Sequence, residues 1–279
     1  MPEQPEVAAL AERLGGFLVD SRLTLARPLS FSGLKTVIPS PSDLIGRRVT
    51  STGQRGKYLI IEFGDDGRIL LHLGQAGRLD VEHPVKSTKP RGSVVRLEFD
   101  NDTSLLLREY GTERKAGWWI LGDGDLGPMA TLGPEAGSSE FAELIAGTDS
   151  THRLHTWLRD QHVIAGLGRG HTDDVCNRAK LSPFAAPGGL DQDERSRLVA
   201  SVRDVLAAAL ERKRQRTGGL SEARLGERFL VHGRKGQPCP NCATSLSAVS
   251  FATYEIVYCA TCQTRGRQLA DRRMSRLLK

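Results

Sequence analysis

The chain has 279 residues, 39 Lys+Arg against 33 Asp+Glu, and a formal net charge of +6. That leaves room for two domains at roughly 100–200 residues each, and 39% hydrophobic with 26% charged residues supports a packed core and argues against global disorder. No apolar run approaches the ~20 residues of a membrane-spanning helix, and the start, Met1-Pro2-Glu3-Gln4-Pro5-Glu6-Val7, lacks a basic segment followed by an apolar one, so no secretory signal and a cytoplasmic location are expected.

The first element reads as a helix. Pro2 and Pro5 fit only its start, where a missing N–H does little harm, and Val7, Leu10 and Leu14 follow at helical spacing until Gly15-Gly16 ends the run. From about Leu44 to Leu121 the pattern changes to short apolar runs. Strands are expected at Tyr58 to Ile61, Ile69 to Leu71, Val94 to Phe99, Ser104 to Leu107 and Trp118 to Leu121, separated by Gly, Asn and Asp turns. This spacing predicts an antiparallel sandwich or barrel. A Gly/Pro-rich stretch from Gly122 to Ser139 reads as a linker. Beyond it, Phe141 to Ile145 and Leu154 to Ala165 read as short helices. Asp191 reads as the N-cap of a longer helix to about Arg214, whose apolar face is Leu198, Val202, Val205, Leu206, Ala209 and Leu210. The stretch Glu211 to Gly219 reads as a basic loop.

Four of the five cysteines form Cys239-Pro240-Asn241-Cys242 and, sixteen residues on, Cys259-Ala260-Thr261-Cys262. Two such knuckles suit one tetrahedral Zn²⁺ better than a disulfide framework, and with all four positions filled by protein the ion is structural. Val249, Phe251, Ile256, Val257 and Tyr258 between them predict a β-hairpin, and Arg234, Lys235, Arg265, Arg267, Arg272, Arg273, Arg276 and Lys279 around it suit phosphate. The run Asp160 to His171 contains Gly166-Leu167-Gly168 just before a helix expected near Thr172-Asp173-Asp174. Such a turn either cradles a phosphate on exposed N–H groups or simply joins two helices. Pro2 is either an ordinary helix-start residue or, once Met1 is removed, a secondary amine able to attack a sugar C1′ and form an iminium, with Glu3 and Glu6 within one turn to move protons. Cys176, Trp118, Trp119 and Trp157 read as core residues, and neither His72 nor His162 as a metal ligand.

In this order, the Met1-Pro2-Glu3-x-Pro5-Glu6-Val7 start, the Gly166-Leu167-Gly168 turn and a terminal four-cysteine finger ending Cys262-Gln263 resemble the formamidopyrimidine-DNA glycosylase/endonuclease VIII family of base-excision repair enzymes. Arg55-Gly56-Lys57-Tyr58 and His72-Leu73-Gly74-Gln75-Ala76-Gly77-Arg78-Leu79 fit as well, so the resemblance spans the chain, as that of a divergent bacterial member. It implies an α+β fold: an N-terminal helix with an antiparallel β-sandwich (1–125), a helix–two-turns–helix domain (126–235), and a zinc β-hairpin finger with a basic tail (236–279). DNA is expected in a basic cleft between the domains. The implied activity is that of a bifunctional DNA glycosylase/AP lyase, a monomer acting on double-stranded DNA with a damaged base or abasic site. The damaged nucleotide is flipped out of the stack, its N-glycosidic bond is cleaved, and β,δ-elimination follows. Pro2 would be the nucleophile, Glu3 the proton donor to the opening deoxyribose, Glu6 a member of the same carboxylate network, and Lys57 a phosphate contact beside the lesion.

The departures from the pattern concern recognition. Arg169-Gly170-His171 follows Gly168 where the family has Asn-Ile-Tyr, and the Asn is a phosphate contact that Arg169 would replace with a charged one. Tyr254 stands where the finger usually carries a phosphate-binding Arg, so that clamp is missing or relocated. Gln75 replaces the Met of the formamidopyrimidine enzymes. Arg114 matches the opposite-strand arginine, but Lys115 replaces the usual Phe. Gln75, Arg114, Gly168, Arg169 and Tyr254 are thus the expected DNA-binding positions. Cleavage at abasic sites is expected to be firmer than excision of any one oxidised base. The alternative is a damaged-DNA binder of the same fold with little or no excision.

Overall fold

The computed structural model describes residues 1–111, 115–215 and 229–270. The chain divides into two compact units, Met1–Thr131 with Leu210–Leu225, and Leu132–Ala209 with Gly226–Lys279.

The first unit opens with helix α1 (Gln4–Leu18). Gly15-Gly16 does not end it, against the expectation from sequence. Leu14 and Leu18, one turn apart, are both fully buried, and that burial outweighs the ~1 kcal/mol each interior glycine costs. Gly15 also permits close approach to the sheet, since a Cβ there would lie 3.1 Å from Thr52 Oγ1. Among the described residues eight strands follow: β1 (Leu23–Pro28), β2 (Ser51–Arg55), β3 (Tyr58–Glu62), β4 (Arg68–His72), β5 (Gly77–Glu82), β6 (Ser93–Phe99), β7 (Ser104–Glu109) and β8 (Gly117–Leu121). They form two antiparallel four-stranded sheets, ordered β1-β6-β7-β5 and β2-β3-β4-β8. This is the expected antiparallel sandwich, and every strand read from the sequence is present. Val7, Leu14 and Leu18 of α1 share one core with Leu59, Ile61, Leu71, Leu97, Leu107 and Trp118.

The second unit is helical: α2 (Ser139–Gly147), α3 (Leu154–Leu158), α4 (Arg169–Arg178) and α5 (Gln192–Arg214, to Ala209 in this unit), then the hairpin β9 (Ser247–Ser250) and β10 (Glu255–Tyr258) and the short α6 (Ala260–Thr264). Of the six residues expected on the apolar face of α5, Leu198, Val202, Val205 and Leu206 meet Phe141, Ile145, Leu154, Leu158, Val175 and Cys176 in a second core; Ala209 is buried outside that cluster, and Leu210 falls in the first unit. Burial raises the Cys176 thiol pKa well above its ordinary value, so it behaves as a small hydrophobe. Two sequence expectations are corrected here. Residues 160–165 form a turn rather than a helix, and α4 begins at Arg169, three residues before Thr172. The segment read as a linker is ordered by backbone bonds, with Gly133 N–H donating to Gln161 O (3.0 Å) and Ala136 N–H to Ala165 O (3.0 Å).

Candidate active site

The start of α1 is held by two carboxylates. Glu3 is the N-cap, and its side chain accepts the Glu6 backbone N–H, while Glu6 Oε2 accepts the Glu3 N–H at 2.8 Å. This reciprocal box satisfies two of the donors a helix leaves open at its N-terminus. Glu3 is only 3% exposed. Pro2, immediately before it, remains half-buried and Met1 is exposed.

A second group lies at one end of the β2-β3-β4-β8 sheet. β2 and β3 pair with Arg55 opposite Tyr58, so Gly56-Lys57 is a two-residue turn. Gly56 has φ +57°, which a glycine at the first turn position adopts freely. Lys57 is buried. Tyr58 pairs with His72 across β3 and β4, with ring centroids 5.0 Å apart. Burial, with the Lys57 charge nearby, pushes the His72 pKa down to about 4. Its Nδ1 accepts the Gly74 N–H at 3.3 Å, which fixes the neutral ring with its proton on Nε2.

Gln75 is exposed on the loop between β4 and β5. Beside that loop stands Glu109, which the sequence did not single out and which fixes the segment leading into β8. Its buried carboxylate accepts the N–H groups of Lys115 (2.9 Å) and Ala116 (3.1 Å). Gly74, at φ +60°, packs so closely there that a Cβ would lie 2.7 Å from Ala116 N and 3.1 Å from Glu109 Oε1. An acid at the end of an apolar strand, in Arg108-Glu109-Tyr110, was the available signal. Arg114 lies outside the described residues, as do residues 216–219 of the expected basic loop and Arg272, Arg273, Arg276 and Lys279.

In the second unit the glycine turn is built around Gln161. Its amide donates to Arg159 O (2.9 Å) and Leu167 O (2.8 Å) and accepts the Gly166 N–H (3.0 Å). Gly168 is the N-cap of α4, and Arg169 its first residue. Gly170 makes room for Phe229, since a Cβ there would lie 2.2 Å from the ring. Beyond it, Asp173 is fully buried between His155 (Nε2 3.2 Å) and His232 (Nδ1 2.6 Å) and accepts the Val257 N–H at 3.2 Å. Asp174 accepts the N–H groups of Leu230 and Val231 at 2.8 and 2.9 Å. These acids tie α3, α4, β10 and residues 230–232 into one frame.

The four cysteine sulfurs lie within 4.8 Å of one another, and Cys242 and Cys259 Sγ are 3.5 Å apart. A tetrahedral ion with bonds of about 2.3 Å sets sulfurs about 3.8 Å apart, so the cluster is compatible with a zinc finger. Asn177, unnoticed in the sequence, donates toward Cys239 Sγ (3.6 Å) and to Gln263 Oε1 (3.2 Å). Gln263 in turn accepts the Cys259 N–H (2.7 Å) and donates to Leu181 O (2.9 Å). These bonds fix the knuckles and soften thiolate charge.

An N-terminal helix on an antiparallel sandwich, a helix–turn–helix unit and a terminal cysteine hairpin together define a nucleic-acid-processing architecture, and comparison with known proteins sharpens that. Residues 1–119 match the formamidopyrimidine-DNA glycosylase N-terminal domain, and residues 132–219 the formamidopyrimidine-DNA glycosylase H2TH domain. The formamidopyrimidine-DNA glycosylase of Symbiobacterium thermophilum is 32% identical over 98% of this chain and 93% of its own length. An uncharacterized formamidopyrimidine-DNA glycosylase-like protein of Mycobacterium tuberculosis is 41% identical over 53% of this chain and 94% of its own. Among solved structures, the MutM (Fpg) protein from Thermus thermophilus superposes with a TM-score of 0.79 at 26% identity, covering 94% of this chain and 98% of that one. The Lactococcus lactis Fpg in complex with DNA containing N7-benzyl-Fapy-dG reaches 0.82 at 23%, covering 94% and 100%, a likeness of fold. The chain belongs to the formamidopyrimidine-DNA glycosylase family, which places it among the DNA glycosylases of base-excision repair.

Proposed function

We propose that the chain is a bifunctional glycosylase and AP lyase on duplex DNA, with the amine of Pro2 as its nucleophile. The observation that carries this reading is the reciprocal Glu3–Glu6 cap, which fixes a buried carboxylate one residue from Pro2. Removal of Met1 frees a secondary amine whose reference pKa of about 8 leaves a neutral fraction at pH 7. That amine attacks C1′ of the flipped nucleotide while Glu3 protonates the opening sugar ring, and the base departs. Loss of a proton gives the iminium, from which β,δ-elimination breaks the strand. Glu6 holds Glu3 in place through the cap. Lys57 faces the phosphate beside the lesion, and a neutral His72 beside it leaves that positive charge undivided.

Gln75, exposed on the β4–β5 loop, and Arg114 serve the gap left by the flipped base. Gly168 and Arg169, at the start of α4, and Tyr254, on the finger, serve the DNA backbone. Cys239, Cys242, Cys259 and Cys262 hold one Zn²⁺, whose role is to fix the fold of the hairpin. The departures at Arg169, Lys115 and Tyr254 bear on recognition and leave the Pro2 chemistry intact, so abasic sites are the expected common substrate.

The test is borohydride trapping on a duplex with one abasic site, using protein whose loss of Met1 is verified by intact mass. The wild type is expected to crosslink through Pro2. Pro2→Gly should reduce the crosslink strongly, and Glu3→Gln should slow it by roughly 10²-fold or more, the scale of a general-acid contribution. A fully processed wild type that gives no crosslink would leave a DNA-binding role in place of the lyase.

A further inference from the structure

On the hairpin tip, Phe251 and Tyr254 stack with centroids 4.7 Å apart and planes 12° from parallel. Two guanidiniums from other elements meet the Tyr254 ring. Arg159, just after α3, lies 4.7 Å from its centroid, and Arg169, the first residue of α4, lies 5.5 Å from it. Arg159 Nη2 also donates to the Tyr254 hydroxyl at 3.3 Å, and Arg169 Nη1 to the backbone oxygen of Thr253 at 3.5 Å. Among the described residues neither guanidinium meets a carboxylate, and the buried Arg159 Nε has no hydrogen-bond partner. Both side chains are half-buried.

This arrangement is electrostatically unfavourable as it stands. Two like charges share one ring. One of them sits at the N-terminus of α4, where the helix dipole already presents positive charge and where acidic residues are favoured; the first turn of α4 holds none. The aromatic face orients the guanidiniums without neutralising them, so most of their planar donors stay available for an anion. Local rules broken together at one place mark a site whose compensation comes from a ligand.

We propose that Arg159, Tyr254 and Arg169 form a relocated phosphate clamp, in which Tyr254 is the platform and the two arginines grip a phosphodiester of the DNA. The hairpin supplies the ring, and the charge comes from the end of α3 and the start of α4. Arg159 thereby becomes a DNA-binding residue that its position in the sequence did not announce. The inference rests on the proposed DNA function and deepens it.

The experiment measures binding of the full-length, zinc-loaded protein to a duplex carrying one tetrahydrofuran abasic analogue, at several salt concentrations. Arg159→Gln and Arg169→Gln are each expected to raise Kd about tenfold or more, as removal of a charged hydrogen bond does. Each should also lower the slope of log K against log salt by about 0.9, because one phosphate fewer is neutralised in the complex. Tyr254→Phe keeps the ring and should keep the slope. If either arginine variant melts early, its Lys counterpart decides: it should retain the slope while losing affinity, because it keeps the charge without the planar fork. Wild-type slopes and affinities in folded Arg159→Gln and Arg169→Gln would overturn the clamp and leave the stack a brace for the hairpin. A wild type that binds no duplex would instead remove the DNA function, and the clamp with it.

Discussion

At His72 a single side chain links the β4 terminus to the pH response of the protein. Its folded pKa of about 4 lies below the ordinary 6.5, because burial and the Lys57 charge both disfavour the imidazolium. Between these values the unfolded chain binds the proton and the folded one does not. The stabilisation is therefore complete above about pH 6.5, is lost as pH falls from there to about 4, and changes no further below. A difference of about two and a half units corresponds to roughly 3 kcal/mol. His72→Asn places an amide oxygen where Nδ1 accepts the Gly74 N–H and removes the titration. Urea midpoints from about pH 7 to about pH 4.5 should fall more steeply for the wild type than for the variant. Equal slopes would exclude His72 as the responsible group. Glu3 and Glu6 belong to the same scale and were legible from the sequence, since helix capping acts over three residues. Glu109 and Asn177 were not, and His72 and Gln263 were legible only as members of motifs, because their partners lie on segments that only the folded chain brings together.

Among elements, legibility followed the apolar content of each strand. β3, β4, β6, β7 and β8 carry runs that can be read directly. β2 is Ser-Thr-Gly-Gln-Arg, with no apolar residue at all. It is a strand because β3 pairs along its length and α1 packs on it, with Thr52 Oγ1 donating to Ala11 O at 2.7 Å. β5 alternates, yet its outer face is charged, and Asp80 reaches Arg108 of β7 at 3.4 Å. On α4, Gly170 and Phe229 form a matched pair: the family's Ile would drive its Cβ into the ring. Gly170→Ile should cost about 1–3 kcal/mol, the range for overpacking. The same change made in a Phe229→Ala background should cost clearly less, since the obstructing ring is gone. Thermal unfolding of the four proteins of this double-mutant cycle checks it, and additive effects would mean that the turn accommodates Ile by another route.

The whole molecule has one principal core in each of two units, and the tryptophans are divided between them. Trp118 and Trp119 lie on β8 in the sandwich, and Trp157 lies on α3 with the helical core. The cysteine cluster belongs to the second unit, where Asn177 of α4 reaches both Cys239 and Gln263. Loss of the ion would leave four thiols around an unfilled centre and release the hairpin, and with it the Val257 N–H that Asp173 accepts beside His155 of α3. Nothing in the sandwich core involves those residues. Chelation should therefore loosen the surroundings of Trp157 and leave those of Trp118 and Trp119 intact, because metal binding and folding are coupled only where the ligands are. The check is tryptophan emission before and after chelator. The wild type should shift to the red, and Trp157→Phe, which retains only the sandwich reporters, should not. Cys242→Ser should reproduce the chelated spectrum without chelator, and metal analysis of the wild type should give one zinc per chain. An equal shift in Trp157→Phe would mean that the sandwich depends on the finger, and the two cores would then have to be treated as one cooperative unit.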